Sequence, residues 1–195
     1  MSSIRMRLRV LSACGLVALT AACASSGSME GEMGTPARLS GGMMMSDANV
    51  AAVAHASNMD EIQTSQLALQ RSQNAQVRQF AQMMIDHHTR VDQQQMQMLQ
   101  AKGMTMQPNE PAQMAMQATA QTVANLGRRS GMDFDRAYME HQVASHRWTL
   151  TSLDQTLIPA TRDAQMKAFL ATTVRPAVVQ HLEMATRLHG SMGNQ

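Results

Sequence analysis

Between about residue 46 and residue 190, apolar residues recur every three or four positions, which is the spacing of one face of a helix. Gln, Ala, Met, Leu and Arg dominate this part of the chain, and all of them favour helices. No stretch within it resembles a β-strand. The pattern therefore predicts an all-α domain over residues 46–190.

Capping residues and helix breakers divide this domain into four long helices and a short one. Each long helix has roughly 25 residues and a length of about 38 Å, which favours a four-helix bundle. The short helix, with Pro111 in its first turn, would lie in the crossover between two helical hairpins. Pro176 predicts a kink inside the last helix. The predicted helices span residues 46–71, 74–102, 110–126, 133–157 and 161–189, with N-caps at Ser46 or Asp47, Asn74, Asp133 and Thr161.

A polar residue interrupts the inward apolar stripe of each long helix. The first helix carries Glu61 among small residues, and an ionised glutamate in an apolar core is costly unless it is paired or bound to a metal. Each of the other three long helices carries a histidine on its stripe. The pattern predicts a transition-metal site for copper, iron or zinc. Its predicted ligands are Glu61, His88, His146, His181 and His87, with Asp135, Tyr138 and His141 as secondary candidates.

The same polar residues have a second interpretation that needs no metal. Buried histidines and carboxylates can hydrogen-bond to one another and so set the register of a bundle. His141 lies nearly opposite the Leu150–Leu153–Leu157 stripe of its own helix. Either both faces of that helix are covered or His141 is a surface residue.

The N-terminal region has the layout of an exported lipoprotein. Three arginines precede an apolar stretch that is too short to span a bilayer, which is typical of a secretory signal over residues 1–22. Small residues lead to Cys23, the predicted lipidation site; simple cleavage after Ala22 or Ala24 is the alternative. Residues 23–45 are rich in Ser, Gly and Met and predict a disordered tether, and residues 191–195 predict a disordered tail. We expect a protein that faces the periplasm, with the membrane as its partner through a lipid anchor, and Ala24 after the cysteine favours the outer membrane.

Charge and cysteine content exclude several functional classes. The chain has a formal net charge of +2, and the signal contributes three arginines, so the mature chain is near −1 and offers no sign of nucleic-acid binding. With Cys14 and Cys23 both in the N-terminal region, the folded domain has no disulfide, thiolate nucleophile or thiolate metal site. No hydrolase or nucleotide-binding motif is present.

The chain contains 21 methionines, which have three interpretations. Thioethers bind Cu(I), and the pairs and triplets of methionine resemble copper-handling segments. Methionine is also an ordinary core filler, and it can scavenge oxidants as the sulfoxide. Met43, Met44 and Met45 fall in the predicted tether, where core packing would not explain them.

Several dispersed motifs resemble one bacterial family. They are residues 58–62 (NMDEI), 83–89 (MMIDHHT) and 131–138 (GMDFDRAY), followed by His146, Pro176 and His181-Leu182. In this order they resemble the family called domain of unknown function 4142, across about residues 46–190. The resemblance implies a ferritin-like fold in a secreted protein that is often a lipoprotein, and it implies no activity.

Two features of the chain bear on the chemistry that this resemblance implies. His88 occupies the family's histidine position, whereas His87 stands where the family has aspartate. The doubled histidine is similar to the related domain of unknown function 305, whose members are linked to copper. Ferritin-like di-iron proteins carry Glu-x-x-His on two helices, and this chain has none. We therefore expect metal handling or stress protection rather than an oxidase, with a metal-free structural or interaction module as the alternative.

Overall fold

The computed structural model describes residues 45–192, and the regular structure in this range is helical throughout. Helix α1 spans Asp47–Arg71, α2 Ala75–Ala101 and α3 Glu110–Leu126. Helix α4 begins as Gly131–Ser152, passes through the π-helical segment Leu153–Leu157 and ends with Ile158–Ala160. Helix α5 begins as Ala164–Phe169, passes through the π-helical segment Leu170–Val174 and ends as Arg175–Met192. The predicted all-α class is confirmed, while the signal, Cys23 and the tether up to residue 44 lie outside the described residues.

Side-chain caps explain where the first three helices begin. Ser46 caps α1 by accepting a hydrogen bond from the Asn49 backbone N–H, and the Asn49 side chain bonds back to Ser46. The Asn74 side chain caps α2 as predicted, and Asn109 caps α3. These bonds satisfy amide groups that a helix start otherwise leaves without a partner.

Two predicted caps were wrong. Helix α4 follows Ser130 and begins at Gly131, whose φ of +55° suits glycine, and Asp133 instead pairs with Arg129 at 3.0 Å. Helix α5 is capped by Asp163, which accepts from the Met166 amide. Thr161 lies two residues before that cap, and its hydroxyl instead donates to the Leu157 carbonyl at the end of α4.

The capping box of α1 provides a direct test of this local stabilisation. We expect Ser46→Ala to lower the free energy of unfolding by about 1 kcal/mol, since it removes the side-chain acceptor from the first turn. Ser130→Ala is the matched control, because Ser130 makes no side-chain cap bond to α4. Urea denaturation of both variants would measure the difference, and equal losses would contradict it.

Two π-helical segments interrupt the last two helices at equivalent points. The Ile158 amide bonds to the Leu153 carbonyl, and the Arg175 amide bonds to the Leu170 carbonyl, each across five residues. A proline follows immediately in both cases, so the segments have the related sequences LDQTLIP and LATTVRP. Proline removes an amide donor and displaces the carbonyl four residues earlier, and a wider turn absorbs this change. The irregularity predicted at Pro176 is therefore a π-helical segment, and its counterpart at Pro159 was missed.

The helices bury two apolar clusters at opposite ends of the molecule. Helix α1 packs against α2, α3 and α4, and α4 packs against α5. One cluster joins the start of α1 to the two π-helical segments and includes Val50, Leu153 and Leu170. The other joins the end of α1 to the start of α4 and includes Phe134 and Tyr138. A layer of buried polar side chains lies between the clusters, at the middle of the helices.

Two ends of the predicted domain extend further than expected. Met45, assigned to the tether, is partly buried against the first apolar cluster, and α5 continues to Met192, inside the predicted tail. Within residues 45–192, no helix combines the length and hydropathy that a membrane crossing requires.

Candidate metal centre

Three buried histidines from three helices meet in the central polar layer. His88 comes from α2, His146 from α4 and His181 from α5, and none is more than 8% exposed. A ring nitrogen of each lies within 4.8 Å of one from the others. The ring centroids are 5.8 Å apart for His88 and His146, 5.2 Å for His88 and His181, and 5.3 Å for His146 and His181.

A hydrogen bond holds each ring through one of its nitrogens. His88 Nδ1 donates to Asn58 Oδ1 at 3.0 Å, and His146 Nδ1 donates to the Gln142 carbonyl at 2.9 Å. Because oxygen acceptors require the proton on Nδ1, the Nε2 lone pairs of these two rings remain available. His181 is held through Nε2, which lies 2.9 Å from His87 Nδ1.

The opposite nitrogen of every ring has no hydrogen-bond partner. His88 Nε2, His146 Nε2 and His181 Nδ1 are all buried and unpaired. Buried polar atoms in folded proteins normally have partners, so three such atoms in one place need an explanation. A bound histidine usually has this arrangement, with one nitrogen on the metal and the other hydrogen-bonded to the protein.

The electrostatic environment keeps two of these imidazoles uncharged. Burial, followed by the neighbouring His146, His181 and His87, holds the pKa of His88 well below its usual value. Burial and the nearby His146 and His87 lower the pKa of His181 to about 3. Neutral imidazole is the form that binds a metal, and His88 and His181 adopt it at neutral pH.

Glu61 lies beside the three histidines rather than among them. Its Oε1 accepts a hydrogen bond from Ser145 Oγ at 2.6 Å and lies 3.5 Å from His146 Nδ1. Its Oε2 is buried without a partner. The carboxylate therefore contacts the far side of the His146 ring, and it lines the same cavity as the three histidines.

The cavity next to the histidines is small and has two unlike sides. Its volume is about 30 Å³, roughly twice the minimum that a buried water needs. The polar lining consists of the histidines, Glu61, Asn58, Gln95 and the hydroxyls of Ser57 and Thr149. The other side is apolar and consists mainly of Leu153, Leu157, Leu170, Val174 and Val178.

A second polar cluster lies on the face of α4 that α3 and α1 cover. His141 Nε2 bonds to Asp60 Oδ2 at 2.9 Å, and Thr119 donates to Asp60 Oδ1 at 3.0 Å. Ser145 donates to Asp60 Oδ2 at 3.2 Å as well as to Glu61. Both faces of α4 are thus covered, which resolves the question that the sequence left open for His141.

Burial and hydrogen bonding shift the pKa values of Asp60 and His141 in opposite directions. Burial raises the pKa of Asp60, but the hydrogen bonds from His141, Thr119 and Ser145 outweigh it and hold that pKa below its usual value. Burial lowers the pKa of His141, but the hydrogen bond and charge of Asp60, with the charge of Glu61, raise it above 6.5. At a pH below the raised pKa of His141, Asp60 and His141 therefore form an ion pair.

The His141 pair predicts a pH-dependent contribution to stability. Because the pKa of His141 is higher in the folded protein than in the unfolded chain, protonation of His141 stabilises the fold. This stabilisation is complete at a pH below the unfolded pKa of 6.5, and it is lost as the pH rises through the folded pKa. We expect His141→Gln to cost about 1–2 kcal/mol at pH 5.5 and clearly less at pH 9. Urea denaturation at both pH values measures this, with His189→Gln as a control near the end of α5. An equal loss at both pH values would refute the assignment.

With this geometry established, the comparisons with known proteins define the family. The family model described as Domain of unknown function (DUF4142) matches residues 32–188. The chain belongs to this family. No curated protein matches the chain, and no solved structure matches it. The predicted resemblance is confirmed, and the DUF4142 description itself assigns no function.

The DUF4142 domain brings together some predicted site residues and separates others. His88, His146 and His181 form the cluster, and His87 stacks on His181 with a centroid distance of 5.2 Å. Asp135, Tyr138 and His141 do not line the cavity. The Tyr138 hydroxyl bonds to Ser65 at 2.8 Å, and Asp135 precedes His146 by about 16 Å of helix.

Sequence reasoning missed the residues that support the ligands. Asn58 orients His88, and its own amide donates to Asp92, which also pairs with His55 at 2.8 Å. Ser145 links Glu61 to Asp60. The sequence did contain one signal for such supporting residues, namely a polar residue one helical turn from a candidate ligand. Asn58, one turn before Glu61, is an example.

The methionines divide between the core and the surface. Met84, Met139 and Met166 are buried, and Met98, Met104 and Met106 pack against the first apolar cluster, as core fillers do. Met96, Met114, Met116 and Met132 are exposed. Met45 also packs on the core, which corrects its assignment to the tether, whereas Met43 and Met44 lie outside the described residues.

Proposed function

We propose that this DUF4142 protein binds a transition-metal ion through His88, His146 and His181. The observation that carries the proposal is the shared arrangement of the three rings. Each is buried and held by the protein through one nitrogen, and each has its other nitrogen free. Three nitrogens around one ion stand about 3.4 Å apart at ordinary bond lengths, so binding would draw the rings together.

The donor set favours some metals over others. Three neutral imidazoles suit zinc, copper and iron, whereas magnesium and calcium prefer oxygen ligands. Three protein ligands also leave a coordination position open, as in sites that exchange a ligand. The cluster has one adjacent carboxylate and lacks the Glu-x-x-His pairs of di-iron centres, so we propose binding and metal handling rather than di-iron oxidation.

A second candidate is a metal-free module whose buried polar groups set the register of the helices. The favouring observation is that several such groups are paired, including Ser65 with Tyr138 and Gln95 with the Ala51 carbonyl. A register network would pair its members. Within residues 45–192, four of the six unpaired buried side-chain atoms instead belong to Glu61 and the three histidines, which supports the metal site.

We further propose a ferritin-like bundle in an exported protein anchored through Cys23 and facing the periplasm. Four long helices and a short α3 between the two hairpins support the bundle. The signal-like start and the small residues before Cys23 support export and lipidation. A role in metal handling or stress protection would follow from that location.

Metal analysis of variants tests the proposed function. We expect the purified protein to bind one equivalent of Cu²⁺ or Zn²⁺, and His88→Ala, His146→Ala and His181→Ala to lose it. His189→Ala should keep the wild-type stoichiometry. His87→Ala and Asn58→Ala should bind about 10–100-fold more weakly, since they remove the bonds that orient two ligands. Unchanged affinity in all three ligand variants, by elemental analysis and titration, would refute the site.

A further inference from the structure

The cavity beside the three histidines, called the chamber from here on, has a lining that limits which ligands could reach them. Beyond the polar residues, the chamber wall is formed by Leu153, Leu157, Leu170, Val174 and Val178, which offer no side-chain hydrogen bonds. A water molecule needs two to four polar partners to be held well, and this side supplies none. The apolar side therefore favours a ligand that does not depend on hydrogen bonds.

The π-helical segments build this apolar side. Leu153 and Leu157 are the first and last residues of one segment, and Leu170 and Val174 are the first and last of the other. All four line the chamber. π-helical turns are rare and occur often at functional sites, so a pair of them around one small chamber is a second indication of ligand binding.

Charge limits the ligand further. Among residues 45–192, the lining contains no lysine or arginine, and its one carboxylate, Glu61, has an unpaired buried Oε2. An anion entering the chamber would have no cationic side chain to bind and would be repelled by that carboxylate, so only the bound metal could attract it. The volume of about 30 Å³ gives room for about two water-sized molecules, which fits a small ligand.

We propose that the chamber admits a small uncharged diatomic molecule to the open coordination position of the trihistidine site. This inference rests on the proposed metal binding and adds the class of ligand. The histidines would hold the metal, the apolar wall would accommodate the diatomic molecule by dispersion contacts, and the charge of Glu61 would disfavour anions. Ala54 and Ala177 also line the chamber and are both partly exposed, so a leucine at either position would narrow the chamber close to the solvent.

Carbon monoxide is a direct probe of this position. The purified protein, loaded with Cu(I), should bind one equivalent of carbon monoxide, seen as a single sharp C–O stretching band in the infrared. Ala54→Leu and Ala177→Leu should lower the affinity for carbon monoxide at least tenfold while the copper stoichiometry stays at the wild-type value. Ala124→Leu makes the same change on an exposed part of α3 and should have no effect.

Azide tests the exclusion of anions. With Cu²⁺ bound, the wild-type protein should bind azide at least tenfold more weakly than Glu61→Gln, which keeps the side-chain shape and removes the charge. Azide binding that is equally tight in both proteins would overturn the role assigned to Glu61.

The outcomes separate this inference from the metal site itself. If copper is retained but no carbon monoxide band appears, the ligand proposal fails and the metal site stands. If both leucine variants bind carbon monoxide like the wild type, carbon monoxide neither passes through the chamber nor binds in it, and the proposal also fails. If the wild type retains no metal, the site fails and the inference falls with it.

Discussion

Metal at one hundred times its dissociation constant is expected to stabilise the folded protein by about 2.7 kcal/mol, because it binds the folded state and not the unfolded one. For a chain of this size the gain corresponds to a rise in melting temperature of about 5–10 °C. The physical reason is specific to the central layer, where three buried nitrogens have no partner until a metal accepts their lone pairs. Differential scanning calorimetry of the metal-free and metal-loaded protein measures the shift.

His181→Leu is the variant that separates binding from folding in this experiment. The change removes a buried unpaired nitrogen, and the partner it leaves behind, His87, is partly exposed and can bond to water. We expect metal-free His181→Leu to be as stable as the wild type or up to about 1 kcal/mol more stable. Added metal should leave its melting temperature unchanged. A shift equal to that of the wild type would remove His181 from the ligand set.

Phe134→Ala is expected to lower the free energy of unfolding by about 3–5 kcal/mol, the largest loss that we expect from one substitution. Phe134 is fully buried and lies parallel to Tyr138, with an interplanar angle of 5° and a centroid distance of 6.2 Å. Truncation would remove this contact and leave a cavity in the second apolar cluster. Urea denaturation of the metal-free protein measures the change.

Trp148→Ala is the matched control on the same helix. Its side chain is 52% exposed, so the loss should be within about 0.5 kcal/mol. Similar losses in the two variants would mean that α4 is buried differently from the arrangement described. The Phe134 loss should also be the same with and without metal, because that cluster is separate from the histidine layer.

The helical pattern predicted most of the fold because it depends on local rules. The starts of α1 and α2 followed from Ser46 and Asn74, whose side chains reach backbone amides only a few residues away. The start of α5 was missed because Thr161 and Asp163 are both suitable caps. Which one serves depends on the Leu157 carbonyl, a partner in the preceding helix.

Spacing alone identified the histidines that meet, but not their separate roles. A stripe at helical spacing shows which side chain faces inward, and His88, His146 and His181 all do. The spacing does not show how neighbouring helices are rotated relative to one another. That rotation places His87 against the Nε2 side of His181 and Glu61 against the Nδ1 side of His146. His141 could not be assigned because its partner Asp60 is 81 residues away on another helix.

By itself, the sequence determined that this protein is all-helical, roughly where each helix lies, and that Glu61, His88, His146 and His181 face the interior, since helix propensity, capping and periodicity act over a few residues. Only the tertiary structure decided which nitrogen of each histidine is free, that Ser145 joins Glu61 to Asp60, and that two π-helical segments form an apolar wall beside the cluster. Most of those features are contacts between residues far apart in the chain, and they depend on how the helices pack rather than on how each one forms.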